Sequence, residues 1–401
     1  MRSLRPALIF VFITVVLDML ALGMVIPVLP KLVVAFSGGD TARGAEIFGA
    51  FGTVWALMQF FCSPLLGALS DRFGRRPVIL ISNFGLGFDY ILMALAPNLL
   101  WLFVGRVISG ITAASISTSY AYVADVLAPE KRAAAFGLMG AAFGFGFIIG
   151  PGLGGILGGI DPHLPFWVAA GLSLLNGMYG LFVLPESLPP ERRSAFSWRR
   201  ANPVAALQLL RSRAGLLGLA SVGFLSSLAH VVLQSTFVLY AGYRYGWTER
   251  DVGFALALVG VCSMIVQAGL VRPFVKHFGE RSALLTGLAA GVVGFTVFGL
   301  APTGSSFLIG VLFTTLWGLA GPAAMGLMSR SVDATEQGRL QGANSSLNGI
   351  AALIGPLLFT YVFALFIGPR QPMHLPGAPF LLSALLLCAA YLCVLRVVKP
   401  R

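Results

Sequence analysis

The chain has 401 residues, of which 57% are hydrophobic and only 10% charged, and its net charge is +12. A soluble domain carries about 25% charged residues, and a core built from this chain could not hide so much apolar surface. The composition excludes a secreted disulfide scaffold, a disordered chain and a soluble enzyme, and it makes the bilayer the solvent.

A membrane helix needs about 20 mostly apolar residues. Twelve such stretches run in chain order over 7–29, 46–69, 78–96, 99–124, 134–157, 165–184, 214–240, 252–272, 282–301, 306–328, 340–366 and 377–397. The first follows Arg2 and Arg5, yet it is too long for the core of a signal peptide and reads as a span. Cys62, Cys262, Cys388 and Cys393 sit in apolar stretches without metal-ligand spacing, so they read as small hydrophobes.

Lysine and arginine in the loops set the orientation. One side holds 21 of them, at the N-terminus, in alternate loops, in the long central loop and at the C-terminus; the other side holds five. This split expects both termini and the central loop in the cytoplasm. It accounts for the basic balance without nucleic acid, while leaving contact with anionic lipid as an expectation.

The polar segment 185–213 separates six spans (1–184) from six (214–401). Gly137 matches Gly342, Gly150-Pro151 matches Gly355-Pro356, and Gly74 in DRFGRR matches Gly279 in KHFGER, each 205 residues apart. Three matches in register indicate a duplication. Duplicated halves that rock about a midplane site are how many secondary transporters are built. The expected fold is an all-α membrane protein of twelve helices in two six-helix pseudo-symmetric halves.

Acids are few, at 15, and most lie in loops. Asp18 and Asp89 each fall about eleven residues into a span, near the midplane. A carboxylate there costs on the order of 3 kcal/mol by insertion scales, so it marks a candidate proton site; the competing reading is a neutral, hydrogen-bonded structural Asp. Arg106 opens GRVISG inside the fourth span and stays charged, which requires a carboxylate, carbonyls or water as company. The motif GALSDRFGRRP, Gly67 to Pro77, joins the second and third spans. There Gly67 would allow close helix approach, Asp71 would end a helix and pair with a cation, Pro77 suits a first turn, and Arg72, Arg75 and Arg76 are topogenic. Gly146, Gly150, Gly154 and Gly158 recur at intervals of four on the fifth span, a face for close packing, and Pro151 would loosen that helix at its centre.

Polar residues inside spans could line a cavity: Gln59, Asn83, Ser115, Ser117, Thr118, Ser119, Tyr120 and Tyr122 in the first half. In the second half they are Gln234, Ser263, Gln267, Asn344, Asn348 and Tyr361. His230 reads as a neutral histidine within a span, and His163, His277 and His374 as isolated loop residues. No GxxxxGK[ST], HExxH or GxSxG occurs, so ATP drive, a catalytic or structural metal and an enzymatic role are not expected.

The stretches LDMLALGMVIPVLP, GALSDRFGRRPVIL, GRVISGITAA and GAAFGFGFIIGPGLGG resemble the twelve-span drug/proton antiporters of the major facilitator superfamily, most closely the tetracycline/proton antiporter group. VADVLAPEKR, FVLYAGYRYGW, FGERSA and LQGANSSLNGIAALIGPLLF extend the resemblance over nearly the whole chain. It implies that Asp18 and Asp89 serve transport and coupling and that Arg106 is linked to proton transfer. By the same likeness Asp71, Arg75 and Asp125 belong to a cytoplasmic gate with Gly67, Arg72, Gly74 and Arg76. The helix of Gly146, Gly150, Pro151 and Gly154 then marks export by exchange. Gln59, Ser263, Gln267, Asn344 and Asn348 are the expected substrate contacts. The family exports a monocationic metal–tetracycline chelate in exchange for a proton. Two positions depart from it: LAAGVVG places Gly291 where the family has an Asp, and VCSMIVQA places Ser263 where it has a His. No acid remains inside a second-half span.

The expectation is therefore a bacterial inner-membrane, proton-coupled exporter of small amphipathic compounds, embedded in lipid, monomeric, without cofactor. Divalent metal would enter only as part of a chelated substrate. An importer on the same fold, and a non-transporting receptor or scaffold that binds through 185–213, are the alternatives.

Overall fold

The computed structural model describes residues 4–113, 115–194, 209–210, 214–333, 336–369 and 373–398. Central-loop residues 195–208 and 211–213, with Arg199, Arg200, Arg211 and Arg213, lie outside these, as do Arg2, Arg370, Lys399 and Arg401. The side chains of Arg5 and Ser115 are also outside the described set.

The described residues are helical almost throughout, without strands. In bilayer, backbone polar groups must be satisfied within the segment, and helices do this. The first half contains α1 (Leu4–Val25), α2 (Leu29–Phe36), α3 (Thr41–Phe73), α4 (Arg75–Ala94), α5 (Leu99–Thr112), α6 (Ser115–Val126), α7 (Pro129–Gly158) and α8 (Leu164–Val183). The second contains α9 (Ala214–Ser235), α10 (Phe237–Tyr245), α11 (Glu249–Ile265), α12 (Val271–Leu300), α13 (Gly304–Leu316), α14 (Ala320–Ser329), α15 (Gln337–Ile367) and α16 (Ala378–Val397). Large apolar side chains stand exposed on the outer faces, among them Ile81, Phe88 and Phe182. Water would penalise such faces and lipid does not.

By length and apolar composition, eleven runs of helix are able to cross a membrane, one fewer than the sequence reading expects. The difference lies in one 52-residue run, Glu249–Leu300. At 1.5 Å per residue it is about 78 Å long, more than twice a hydrocarbon core of about 30 Å. Gly279 breaks it, with φ 78° and ψ 165°, so it comprises the expected eighth and ninth spans.

The duplication is visible in backbone geometry. Gly74 (φ 108°, ψ 161°) and Gly279 share a conformation reserved for glycine and turn the chain at the same place in each repeat. Pro151 and Pro356 both lie inside long helices, α7 and α15. The first and fourth spans of each half are the interrupted ones. Breaks fall between α1 and α2, at Ala113, at Thr236 and in the tight turn Trp317–Leu319. Ala113 and Gly318 are themselves 205 residues apart.

The chain forms two compact units. One comprises Met1–Leu32, Val54–Asn202 and Thr248–Ala257; the other comprises Val33–Thr53, Pro203–Trp247 and Leu258–Arg401. In the first, α1 packs most extensively on α7, and α4 on α8. In the second, α9 packs on α15 and α16, and α12 on α13 and α16. An aromatic cluster fixes the last of these. Phe298 and Phe307 stack at 4.1 Å, and Tyr240 donates its hydroxyl hydrogen to Phe298 O at 3.0 Å.

Candidate functional site

In the first unit, Asp18 on α1 and Asp89 on α4 are both buried, at 6% and 1% exposure. Asp89 lies against the backbone of α5, where a Cβ added to Gly105 would come within 2.9 Å of its Oδ1. Arg106, the next residue, donates from Nη2 to Ser109 Oγ at 3.1 Å and holds its guanidinium 5.7 Å from the centre of the Trp55 ring. A cation over an indole face is stabilised by the ring quadrupole. Arg106 acts on Asp89 by charge, and buried Tyr90 feels Asp89, Arg106 and Asp18 together. The three residues expected to couple protons thus share one neighbourhood, with Tyr90 among them. Tyr90 escaped the sequence reading because a tyrosine inside an apolar span has no distinguishing pattern.

Further buried polar side chains lie on α4 and α6. Asn83 and Ser82 on α4, and Thr118 and Ser119 on α6, are at most 2% exposed, and their side-chain atoms have no hydrogen-bond partner among the described residues. Such groups are costly in an apolar interior. On α1, Thr14 Oγ1 donates to Asn176 Oδ1 at 3.1 Å. Tyr122, expected to line a cavity, is instead a core residue: it is fully buried and donates to Pro185 O at 3.1 Å.

The hairpin after α3 is a dense ionic knot. Arg75 donates to Ser70 Oγ at 2.6 Å, to Asp71 Oδ1, and through Nε to Asp125 Oδ2 at 2.9 Å. Arg76 donates from Nη2 to Leu181 O at 2.7 Å. Arg72 is exposed and lies over the Phe73 ring. The sequence reading missed Glu186, just beyond α8. Its carboxylate accepts the backbone N–H of Arg75 (2.8 Å), Arg76 (3.2 Å) and Leu188 (3.0 Å). It therefore supplies the cap that Gly74, having no side chain, cannot provide, and puts negative charge at the N-terminus of α4. A Cβ on Gly74 would collide with that carboxyl group. Ser187 donates to Asp125 and Ser194 N–H to Asp71 O, tying the chain after α8 to the same knot.

Two expectations for this region are corrected. Gly67 does not mediate close helix approach, since a Cβ there would meet nothing within 4 Å among the described residues. Asp71 does not end its helix, because α3 continues to Phe73, where Gly74 turns the chain.

The second unit carries a reversed counterpart. Glu280 follows Gly279 as Arg75 follows Gly74, and it accepts from Arg330 Nη2 at 2.9 Å. Arg75 and Glu280 are 205 residues apart, as are Asp125 and Arg330, so the same ion pair recurs with its charges exchanged.

The glycine face of α7 packs on α1. Added Cβ atoms would come within 2.7 Å of Met19 Cβ at Gly146, 2.8 Å of Gly23 Cα at Gly150 and 2.6 Å of Val28 Cγ2 at Gly158, and at Gly154 one would strike Met24 O. Pro151 lies inside α7 without interrupting it, and Gly23 leaves room for the proline ring.

Of the expected substrate contacts, the structure brings Asn344 and Asn348 together on the wall of a cavity of about 240 Å³ in the second unit. Ser263 and Gln267 do not line it, and Gln267 donates to Gly318 O at 3.4 Å. Gln59 is half-buried on α3 in the first unit. No cluster of three or more His, Cys, Asp or Glu able to hold a metal ion occurs among the described residues.

A family model described as Major Facilitator Superfamily matches residues 11–356 and 272–401. The tetracycline resistance protein, class C, of Escherichia coli is 40% identical over 359 residues, covering 89% of this chain and 90% of that protein. The class D protein of Salmonella ordonez is 36% identical over 361 residues, covering 90% of each. Among solved structures, the human organic anion transporter MFSD10 (TETRAN) superposes with a TM-score of 0.71 at 25% identity, over 97% of this chain and 99% of that one. The nucleoside transporter NupG gives a TM-score of 0.78 at 15% identity over 98% and 100%, a likeness of fold alone.

Proposed function

The chain belongs to the Major Facilitator Superfamily and is a multi-pass membrane transporter, not an enzyme; from that premise we propose that it exports small amphipathic drugs, tetracyclines among them, in exchange for protons across a bacterial inner membrane. The observation that carries the reading is the burial of Asp18 and Asp89, with half-buried Arg106, around Tyr90, inside spans. A carboxylate there is stable as an anion only with Arg106 or a bound cation beside it. Proton uptake on the periplasmic side would remove that anion and release substrate; proton loss on the cytoplasmic side would restore it.

Transport requires the two halves, 1–184 and 214–401, to alternate about a central site, with both termini and the 185–213 segment in the cytoplasm. The Arg75–Asp71–Asp125 knot, capped by Glu186, would be the rigid cytoplasmic element whose contacts differ between states. Each state change needs only a few kcal/mol of differential affinity. Protons are the coupling ion, no cofactor is used, and a divalent metal takes part only if the substrate brings it. Lipid covers the outer faces, and one chain is the working unit.

Everted membrane vesicles energised with a proton gradient test this reading. Adding a panel of amphipathic compounds, tetracycline with magnesium among them, is expected to collapse the gradient, with Asp18→Asn abolishing the response and Asp89→Asn reducing it. Full proton-coupled export by Asp18→Asn would refute the assignment.

A further inference from the structure

The cavity in the second unit has a chemical character of its own. Its polar wall comprises Ser226 and Ser227 on α9, Met325 on α14, and Asn344 and Asn348 on α15. Leu284, Leu288 and Leu347 supply an apolar side. None of the described residues lining it is charged.

The hydrogen bonds within the wall leave both donors and acceptors to spare. Ser227 donates to Asn348 Oδ1 at 2.6 Å, which leaves both N–H groups of the Asn348 amide for a ligand. Asn344 donates to Met325 Sδ at 3.4 Å, a weak acceptor, which leaves its carbonyl oxygen. Trp317 Nε1 donates to Ser226 Oγ at 3.1 Å, so the Ser226 hydroxyl hydrogen is free to turn outward. Trp317 also packs over Gly291, which lies outside the cavity lining. A Cβ on Gly291 would come within 3.0 Å of its indole and 2.6 Å of Leu387, so no carboxylate fits there without displacing the ring.

Resting on the exporter reading, we propose that this cavity is a subsite for the uncharged face of an amphipathic ring compound bearing hydroxyl and carbonyl groups, contacted without a metal ion. Hydroxyls and carbonyls match the amide and hydroxyl groups of Ser226, Ser227, Asn344 and Asn348, and the ring lies on the leucines. A metal chelate would find no anion here.

Equilibrium dialysis on the purified full-length protein tests this, with labelled chloramphenicol (an uncharged ring compound with hydroxyl and amide groups) and labelled tetracycline, each in magnesium or in EDTA. Chloramphenicol is expected to bind equally in both. Asn344→Ala and Asn348→Ala, each removing hydrogen bonds to the ligand, should weaken it roughly three- to tenfold. Asn348→Asp should lose chloramphenicol and gain tetraphenylphosphonium, a result that loss of folding could not give. Binding of tetracycline in magnesium alone, no binding of either compound, or affinities unchanged in both alanine variants would overturn the proposal. The vesicle assay separates this from the exporter reading. Binding without any gradient collapse sinks the exporter and leaves the subsite, whereas collapse indifferent to both alanine variants does the reverse.

Discussion

Gly74 and Gly279 offer a controlled comparison. Both hold a backbone conformation open essentially to glycine, so an alanine at either position costs about 1–3 kcal/mol of strain. At Gly279 nothing lies within 4 Å of the added methyl, and strain is the whole cost. At Gly74 the methyl also displaces the Glu186 carboxylate from three backbone N–H groups. At about 0.5–1.5 kcal/mol per bond, that adds about 1.5–4.5 kcal/mol. The destabilisation from Gly74→Ala should therefore be about two to three times that from Gly279→Ala. Removing the carboxylate first with Glu186→Ala should bring the cost of Gly74→Ala down to the Gly279→Ala value. Thermal unfolding of purified protein with a thiol-reactive dye reads this out, because Cys62, Cys262 and Cys393 are part-buried; exposed Cys388 is replaced by serine beforehand. Equal costs at the two glycines, or a Gly74→Ala cost untouched by Glu186→Ala, would show that Glu186 does not cap α4.

The same assay checks the two ion pairs. Arg330 is 66% exposed but Glu280 only 14%, so Arg330→Ala, which leaves that carboxylate unpaired, should cost about 1–3 kcal/mol. Arg75 is 11% exposed and bridges Ser70, Asp71 and Asp125, so Arg75→Ala should cost clearly more and should also slow export in vesicles. On α7, Gly150→Val should abolish folded protein, because even one Cβ meets Gly23 Cα at 2.8 Å; Gly137→Ala, in open space, should leave yield and transport near wild type. Expression and size-exclusion profiles distinguish these two outcomes.

Much of this architecture is legible in the chain because lipid imposes a coarse rule. Apolar length marks spans, and the 205-residue register marks the repeat; the turn at Gly279 was readable only through its match to Gly74. Asp18, Asp89 and Arg106, the residues proposed to couple protons, were legible because charge inside a span is rare enough to stand out. Glu186 was not, since a loop carboxylate is ordinarily solvated and its role arises from a partner more than a hundred residues away. Ser226, Ser227 and Met325 were hidden for a related reason. In a span apolar on most sides, spacing does not say which face meets a cavity. Gly67 shows the converse error, in which a glycine inside a motif suggested packing where the structure leaves open space.

The reversed ion pair also bears on how the two halves arose. If both descend from one ancestral unit, Arg75–Asp125 and Glu280–Arg330 are two outcomes of one inherited bond. A single substitution cannot exchange the signs, and every intermediate lacks the attraction, with two like charges, one charge alone or none. The lineage crossed that barrier and restored the attraction with opposite polarity. What descent preserved is the bridge from the hairpin to the end of the fourth helix, while its sign was left to drift. The half whose arginine has drawn further partners, at Ser70 and Asp71, carries a network, whereas the other half keeps a single bond between a largely buried Glu280 and an exposed Arg330.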